Sequence, residues 1–164
     1  MTKQETYQYL AHHGVLYEVT EHAAVFNMEE LRSIELPHPD CVAKNLFVRD
    51  DKKRNYYLIS LRGDKRVDLK EFRKAHGLRN LSFASAPELA SVLGLVPGMV
   101  TPLGLLNDEE KKVTLYLDQA FLGGLIGAHP NDNTATVWIK TEDLVRLIQE
   151  HGNTVNFTAV ANGC

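Results

Sequence analysis

Lys44 and Asn45 stand side by side in an otherwise apolar run, Val42-Ala43-Lys44-Asn45-Leu46-Phe47-Val48. An ammonium held among apolar neighbours is a compact charge suited to a phosphate, or to the oxyanion that develops when a carbonyl is attacked. The plain alternative is a strand-edge lysine reaching solvent. Two distant segments each adjoin an apolar stretch and are candidates to meet it in one cleft. In Gly94-Leu95-Val96-Pro97-Gly98-Met99-Val100-Thr101-Pro102, the backbone at Gly98 can approach a ligand and offer its N–H unobstructed. The same loop also reads as a helix end followed by a proline turn. Ala128-His129-Pro130 follows a small, flexible run from Gly123 and brings an imidazole suited to positioning or polarisation, or to a purely structural role.

Other chemistries find no support. There is no P-loop, GxGxxG, HExxH or GxSxG. The seven histidines (12, 13, 22, 38, 76, 129 and 151) lack metal-ligand spacing, so neither a metal nor an organic cofactor is expected. Cys41 has no base in sight and reads as a plain thiol, and with Cys164 it makes no disulfide framework.

The elements that must position these residues are short and irregularly mixed. Thr2-Lys3-Gln4-Glu5 forms a capping box for a helix running to Gly14, and Leu16 to Thr20 alternates as a half-buried strand. Asn27 caps a helix from Met28 to about Ile34, stopped by Pro37 and Pro39. Cys41 to Val48 and Asn55 to Leu61 read as a hairpin across the polar turn 49–54. Asp68 caps a helix through His76 closed by Gly77, Leu81 to Ala84 is a short strand, and Ser85-Ala86-Pro87-Glu88 opens another helix. Leu103 to Leu106 and Val113 to Leu117 read as a strand pair around the turn 107–110. Thr134 to Ile139 is a strand, Thr141 starts a helix with Leu144, Leu147 and Ile148 on one face up to Gly152, and Thr154 to Phe157 is a last strand. Such a mixture implies an α+β fold rather than a regular βαβ repeat.

At 164 residues the chain fits one domain, expected over 1–160 with a tail at 161–164. No apolar run approaches the roughly 20 residues of a membrane span and the start lacks a signal peptide, so a cytoplasmic protein without a membrane partner is expected. The net charge of −3 hides an asymmetry: Lys44 to Arg79 holds twelve Lys/Arg against five Asp/Glu. That stretch is basic enough to meet a phosphate backbone, although a solvated face is the simpler account.

Taken together, Lys44-Asn45-Leu46-Phe47, the Gly94–Pro102 loop and Ala128-His129-Pro130, in this order, resemble the YbaK/ProX-like aminoacyl-tRNA deacylases, which include the editing domain of bacterial prolyl-tRNA synthetases. The resemblance spans nearly the whole chain. It implies a curved, mixed β-sheet surrounded by short helices, and it makes Lys44 the essential polar residue. Gly98 and His129 are carried over as catalytic, with Asn45, Leu46, Thr101 and Ala128 in contact with substrate. Lys52, Lys53, Arg54, Lys65 and Arg66 are then the expected tRNA contacts. The length and the segment Glu21 to Phe26 look most like the freestanding ProX/PrdX branch, which acts on alanyl-tRNA(Pro). The implied reaction is hydrolysis of the ester at the 3′ end of mischarged tRNA(Pro), assisted by the substrate's 2′-OH, with prolyl-tRNA synthetase as a further partner. Removal of cysteine from tRNA(Pro) is the nearest rival, and a non-catalytic tRNA-end or amino-acid-binding regulator is the rival of a different class.

Overall fold

The computed structural model describes residues 1–63 and 65–159, so the expected tail at 161–164 lies outside the described residues. The chain folds as α1 (Lys3–His12), β1 (Glu18–Glu21), α2 (Met28–Arg32), β2 (Ala43–Asp50), β3 (Tyr56–Arg62), α3 (Leu69–His76) and β4 (Leu81–Phe83). It continues through α4 (Ala86–Leu93), β5 (Val113–Asp118), β6 (Leu125–Ala128), β7 (Ala135–Lys140), α5 (Thr141–His151) and β8 (Val155–Thr158). Local chemistry fixes most helix ends. Thr2 with Glu5 and Ser85 with Glu88 form reciprocal capping boxes, Asn27 and Asp68 accept backbone N–H groups at their helix starts, and Gly77, Gly94 and Gly152 close helices in the left-handed region.

Two sheets result. The larger is mixed and five-stranded, in the order β4-β2-β3-β5-β8, with β2 antiparallel to β3 and β4, and β3, β5 and β8 parallel. The smaller is antiparallel, in the order β1-β7-β6. A single bridge between Val42 and Gly127 joins them. The α5 face of Leu144, Leu147 and Ile148 is fully buried in the main core with Leu58, Leu115 and Leu117 of the large sheet. No helix among the described residues is long and apolar enough to cross a membrane.

Four local expectations need correction. Pro102–Asn107 is a 3₁₀ helix, not a strand: Pro102 opens it, the Thr101 hydroxyl caps it, and Leu103, Leu105 and Leu106 are buried. A short apolar run cannot by itself tell a buried strand from a buried helical turn. The partners of β5 are consequently β3 and β8 rather than residues 103–106. The glycine-rich run after Gly123 is not loose but forms β6, where any Cβ at Gly127 would strike the Trp138 ring. The first strand is shifted to Glu18–Glu21 and is largely exposed, with Leu16 left outside it at 81% exposure.

Candidate active site

The two sheets touch at Val42 and then diverge, and a cleft of about 250 Å³ occupies the split. Alternation along β2 decides what faces it. The Val42 carbonyl accepts the Gly63 N–H, on the β3 side, whereas the Phe47 carbonyl accepts the Ala84 N–H on the opposite side. Peptide groups of Ala43 and Asn45, in phase with Phe47, therefore point to the outer edge. Because β4 pairs only from Val48 onward, no strand among the described residues lies beside Asn45 there. Its backbone N–H and carbonyl are presented to the cleft.

Lys44 lines the cleft, and its ammonium donates to the Lys65 carbonyl at 3.4 Å. Lys65 is itself pinned: its ammonium lies 2.8 Å from the Asp118 carboxylate, which is almost fully buried. Asp118 also accepts the backbone N–H of Arg62 and of Ala120, each at 3.0 Å, so one carboxylate ties the ends of β3 and β5 to the segment carrying Lys65. Asn45 uses its side chain as a strut. Its amide donates to the Val100 carbonyl at 3.2 Å and its oxygen accepts the Ser60 hydroxyl at 2.6 Å, which locks the Gly98–Val100 loop onto β2.

Gly98 has φ of +91°, and a Cβ there would sit 3.1 Å from the Phe26 ring. Glycine is thus required both by backbone conformation and by close packing on Phe26. Phe26, Met28, Leu31 and Ala128 add apolar surface to the lining. Thr101, in contrast, is fully buried and outside the cleft lining: its hydroxyl donates to the His129 carbonyl at 2.7 Å. It braces the site instead of contacting its contents.

His129 Nδ1 is 3.0 Å from the Ala135 carbonyl. A carbonyl only accepts, so Nδ1 carries the proton and Nε2 is a lone pair. Burial, reinforced by the neighbouring His22, holds the pKa of His129 below the ordinary histidine value and keeps it neutral at pH 7. His22 repeats the arrangement, with Nδ1 2.9 Å from the Ala23 carbonyl, Nε2 2.9 Å from the Thr136 hydroxyl, and its ring 6.3 Å from that of His129. Among the described residues, Lys44 and His129 are the only titratable side chains lining the cleft.

Lys44, Asn45, Leu46, Gly98, Ala128 and His129 therefore meet in one place. The five basic residues expected at tRNA do not. Lys52, Lys53 and Arg54 are exposed in the β2–β3 turn, about 20 Å along β2 from Lys44 at 3.3 Å per residue. Lys65 and Arg66 lie at the cleft end, with Lys65 already ion-paired. Sequence reasoning missed Asp118 and His22. The first had a usable signal, an aspartate closing an apolar strand run and capping the turn after it. His22 had none, because its partner Thr136 is 114 residues away.

The fold is α+β, and the titratable groups that the described residues bring to the cleft are a lysine and a neutral histidine. The model of the aminoacyl-tRNA editing domain matches residues 22–147, and the chain belongs to that family as an aminoacyl-tRNA deacylase. It is 40% identical over 139 residues to the Prolyl-tRNA editing protein ProX of Acetoanaerobium sticklandii, covering 84% of this chain and 85% of that one. It is 35% identical over 159 residues to the Prolyl-tRNA synthetase associated domain-containing protein 1 of Danio rerio, covering 93% and 84%. Among solved structures, one provisionally assigned as a trans-editing enzyme for prolyl tRNA synthetase superposes with a TM-score of 0.72 at 20% identity over 99% of both chains, a likeness of fold.

Proposed function

We propose that the protein hydrolyses mischarged tRNA(Pro), with alanine as the amino acid removed. Water adds to the ester carbonyl, the bond from that carbon to the ribose 3′ oxygen breaks, and the 3′ oxygen leaves with a proton. The observation that carries this reading is the cleft itself: small, apolar-walled, with an ammonium at one side and a neutral imidazole at the other. The similarity to a prolyl-tRNA editing protein supports tRNA(Pro) as the substrate.

In this reading Lys44 holds a phosphate or the developing oxyanion, and the Asn45 and Gly98 backbone N–H groups supply fixed donors for the carbonyl oxygen. The His129 Nε2 lone pair accepts a hydrogen bond from the substrate's ammonium or 2′-OH. Burial makes His129 a weak base, and among the described residues no carboxylate or thiol lines the cleft. The substrate's 2′-OH therefore orients and activates the water, while the protein contributes position and charge stabilisation. Alanine suits such a second sieve because a synthetase pocket shaped for proline cannot reject a smaller residue on size alone. Lys52, Lys53 and Arg54 contact the tRNA backbone away from the cleft, and Arg66 contacts it at the cleft end.

The test is hydrolysis of alanyl-, cysteinyl- and prolyl-tRNA(Pro) side by side. Alanyl-tRNA(Pro) is expected to be cleaved fastest and prolyl-tRNA(Pro) to be spared. Faster release of cysteine would move the assignment to the cysteinyl branch, and no release from any of the three would leave a binding regulator.

A further inference from the structure

Thr136 is almost fully buried, yet it lines the cleft. Alternation along β7 puts it there. Val137 and Ile139 enter the main core, while Thr136 and Trp138 take the other face of the strand, where Trp138 packs with Val25, Leu31 and Val42. A valine would fill the same volume and suit the strand equally well, so the hydroxyl itself calls for an explanation.

Counting hydrogens fixes what that hydroxyl can offer. His22 Nδ1 lies 2.9 Å from the Ala23 carbonyl, which only accepts, so in the neutral ring Nδ1 carries the hydrogen and Nε2 is the acceptor. The Thr136 hydroxyl, 2.9 Å from Nε2, must then donate to it. Its one hydrogen is spent on His22, and only lone pairs are left for the cleft. The imidazole is well anchored for this task. The His22 N–H donates to the Thr134 carbonyl at 2.9 Å, and the Asp132 carboxylate accepts both the N–H and the hydroxyl of Thr134, at 2.9 and 2.6 Å. His129 ends in the same state by a separate route, its Nδ1 hydrogen being spent on Ala135. Two groups in the lining, one on β7 and one just after β6, thus accept hydrogen bonds and have none to give.

We propose that Thr136 accepts a hydrogen bond from the α-ammonium of the esterified amino acid, and that His22 is the positioning residue that sets its polarity. This rests on reading the cleft as the aminoacyl site. A primary ammonium carries three donors and no acceptor, so it matches an acceptor-only surface. A hydroxyl in its place brings a single hydrogen, no charge, and lone pairs that meet lone pairs. Without His22, the Thr136 hydrogen could turn inward and oppose the ammonium; the imidazole removes that orientation. The simpler alternative is a tie between the end of β1 and β7, which would hold the wall in place without regard to what the cleft contains.

Two non-hydrolysable analogues separate these roles: 3′-(L-alanylamino)-3′-deoxyadenosine and its L-lactyl counterpart, which differ only in ammonium against hydroxyl. Each is titrated into the full-length protein and followed by backbone amide NMR at about pH 7, where an α-amino group of ordinary pKa is mostly charged. Wild type is expected to bind the alanyl analogue at least about tenfold more tightly. Thr136→Val and His22→Phe should each bring that ratio close to one, whereas Thr136→Ser and His22→Gln, whose amide oxygen can replace Nε2 as acceptor, should keep it within about twofold of wild type. A wild type that does not distinguish the analogues overturns the inference. So does a ratio that survives Thr136→Val or His22→Phe, including the case in which both analogues weaken together, the signature of a structural tie. Should Thr136→Val fail to fold, His22→Phe and its rescue by Gln decide alone. If the ratios behave as expected but alanyl-tRNA(Pro) is not hydrolysed, ammonium selection by Thr136 stands and the reaction assigned to the cleft is what fails.

Discussion

The two ends of the β2–β3 hairpin carry charge of the same sign in opposite settings. At the cleft end, Lys44 is anchored on the Lys65 carbonyl, and Lys65 on buried Asp118. At the turn end, Lys52, Lys53 and Arg54 are exposed, and the turn is organised beneath them by Asp50, whose carboxylate accepts the Arg54 N–H and the Asn55 amide. Charge density along the chain is highest near the turn, but enclosure and orientation exist only at the other end. A held charge in a cleft can stabilise a transition state, whereas exposed cations attract phosphates at long range and lose that attraction in salt.

The sharpest way to break this contrast is Lys44→Ala. Deacylation should fall by on the order of 100-fold, mainly in kcat, with the fold intact by circular dichroism; near-normal turnover would remove Lys44 from the chemistry. Asp118→Ala strikes the same end through stability. Leaving Lys65 as an uncompensated, largely buried charge should cost about 3–5 kcal/mol in a denaturant titration, and a loss within 0.5 kcal/mol would show that Asp118 is not the anchor. His129→Ala should slow turnover only about tenfold, because positioning contributes less than the reacting group. Since burial keeps His129 neutral, wild-type activity should decline only as pH falls below the ordinary histidine value, and His129→Ala should flatten that limb.

The turn end should respond more gently. Replacing Lys52, Lys53 and Arg54 by Ser should lower affinity for tRNA at low salt and reduce the salt slope by about two to three, leaving single-turnover hydrolysis at saturation unchanged. An unchanged slope would make the turn an ordinary solvated surface. The hairpin beside that turn is also held by an acid-sensitive cluster. Glu88 accepts from the Ser85 N–H, the Tyr56 hydroxyl and Arg49, and its pKa is driven down to about 2, the Ser85 bond being the main cause. A depressed carboxylate contributes stability above its ordinary 4.5, lost as pH falls from there toward 2. Glu88→Gln should remove on the order of 1–2 kcal/mol at pH 7 and flatten the decline between those values.

Much of this was legible along the chain wherever a local rule decides. The capping residues Thr2, Asn27, Asp68 and Ser85 marked helix starts within one residue, and the β2–β3 hairpin followed from apolar runs around a polar turn. Lys44, Gly98 and His129 stood out because each breaks the pattern of its neighbours. The rest depends on partners distant in sequence. Whether Leu103–Leu106 is strand or 3₁₀ turn is settled by burial, β6 by the ring of Trp138, and the internal use of Thr101 by a carbonyl 28 residues on. The basic stretch from Lys44 to Arg79 could be counted, but its division between two ends of a hairpin is a property of the fold.

How the water is activated is the central question, and single-turnover hydrolysis of alanyl-tRNA(Pro) ending in 2′-deoxyadenosine, with alanine on the 3′ oxygen, asks it most directly. With Lys44 and a weakly basic His129 as the titratable groups that the described residues bring to the cleft, the deoxy substrate should bind almost normally and be hydrolysed at least about 100-fold more slowly, while His129→Ala retains about a tenth of its activity on the natural substrate. Full-rate cleavage of the deoxy substrate together with an inert His129→Ala would make His129 the general base and contradict substrate assistance.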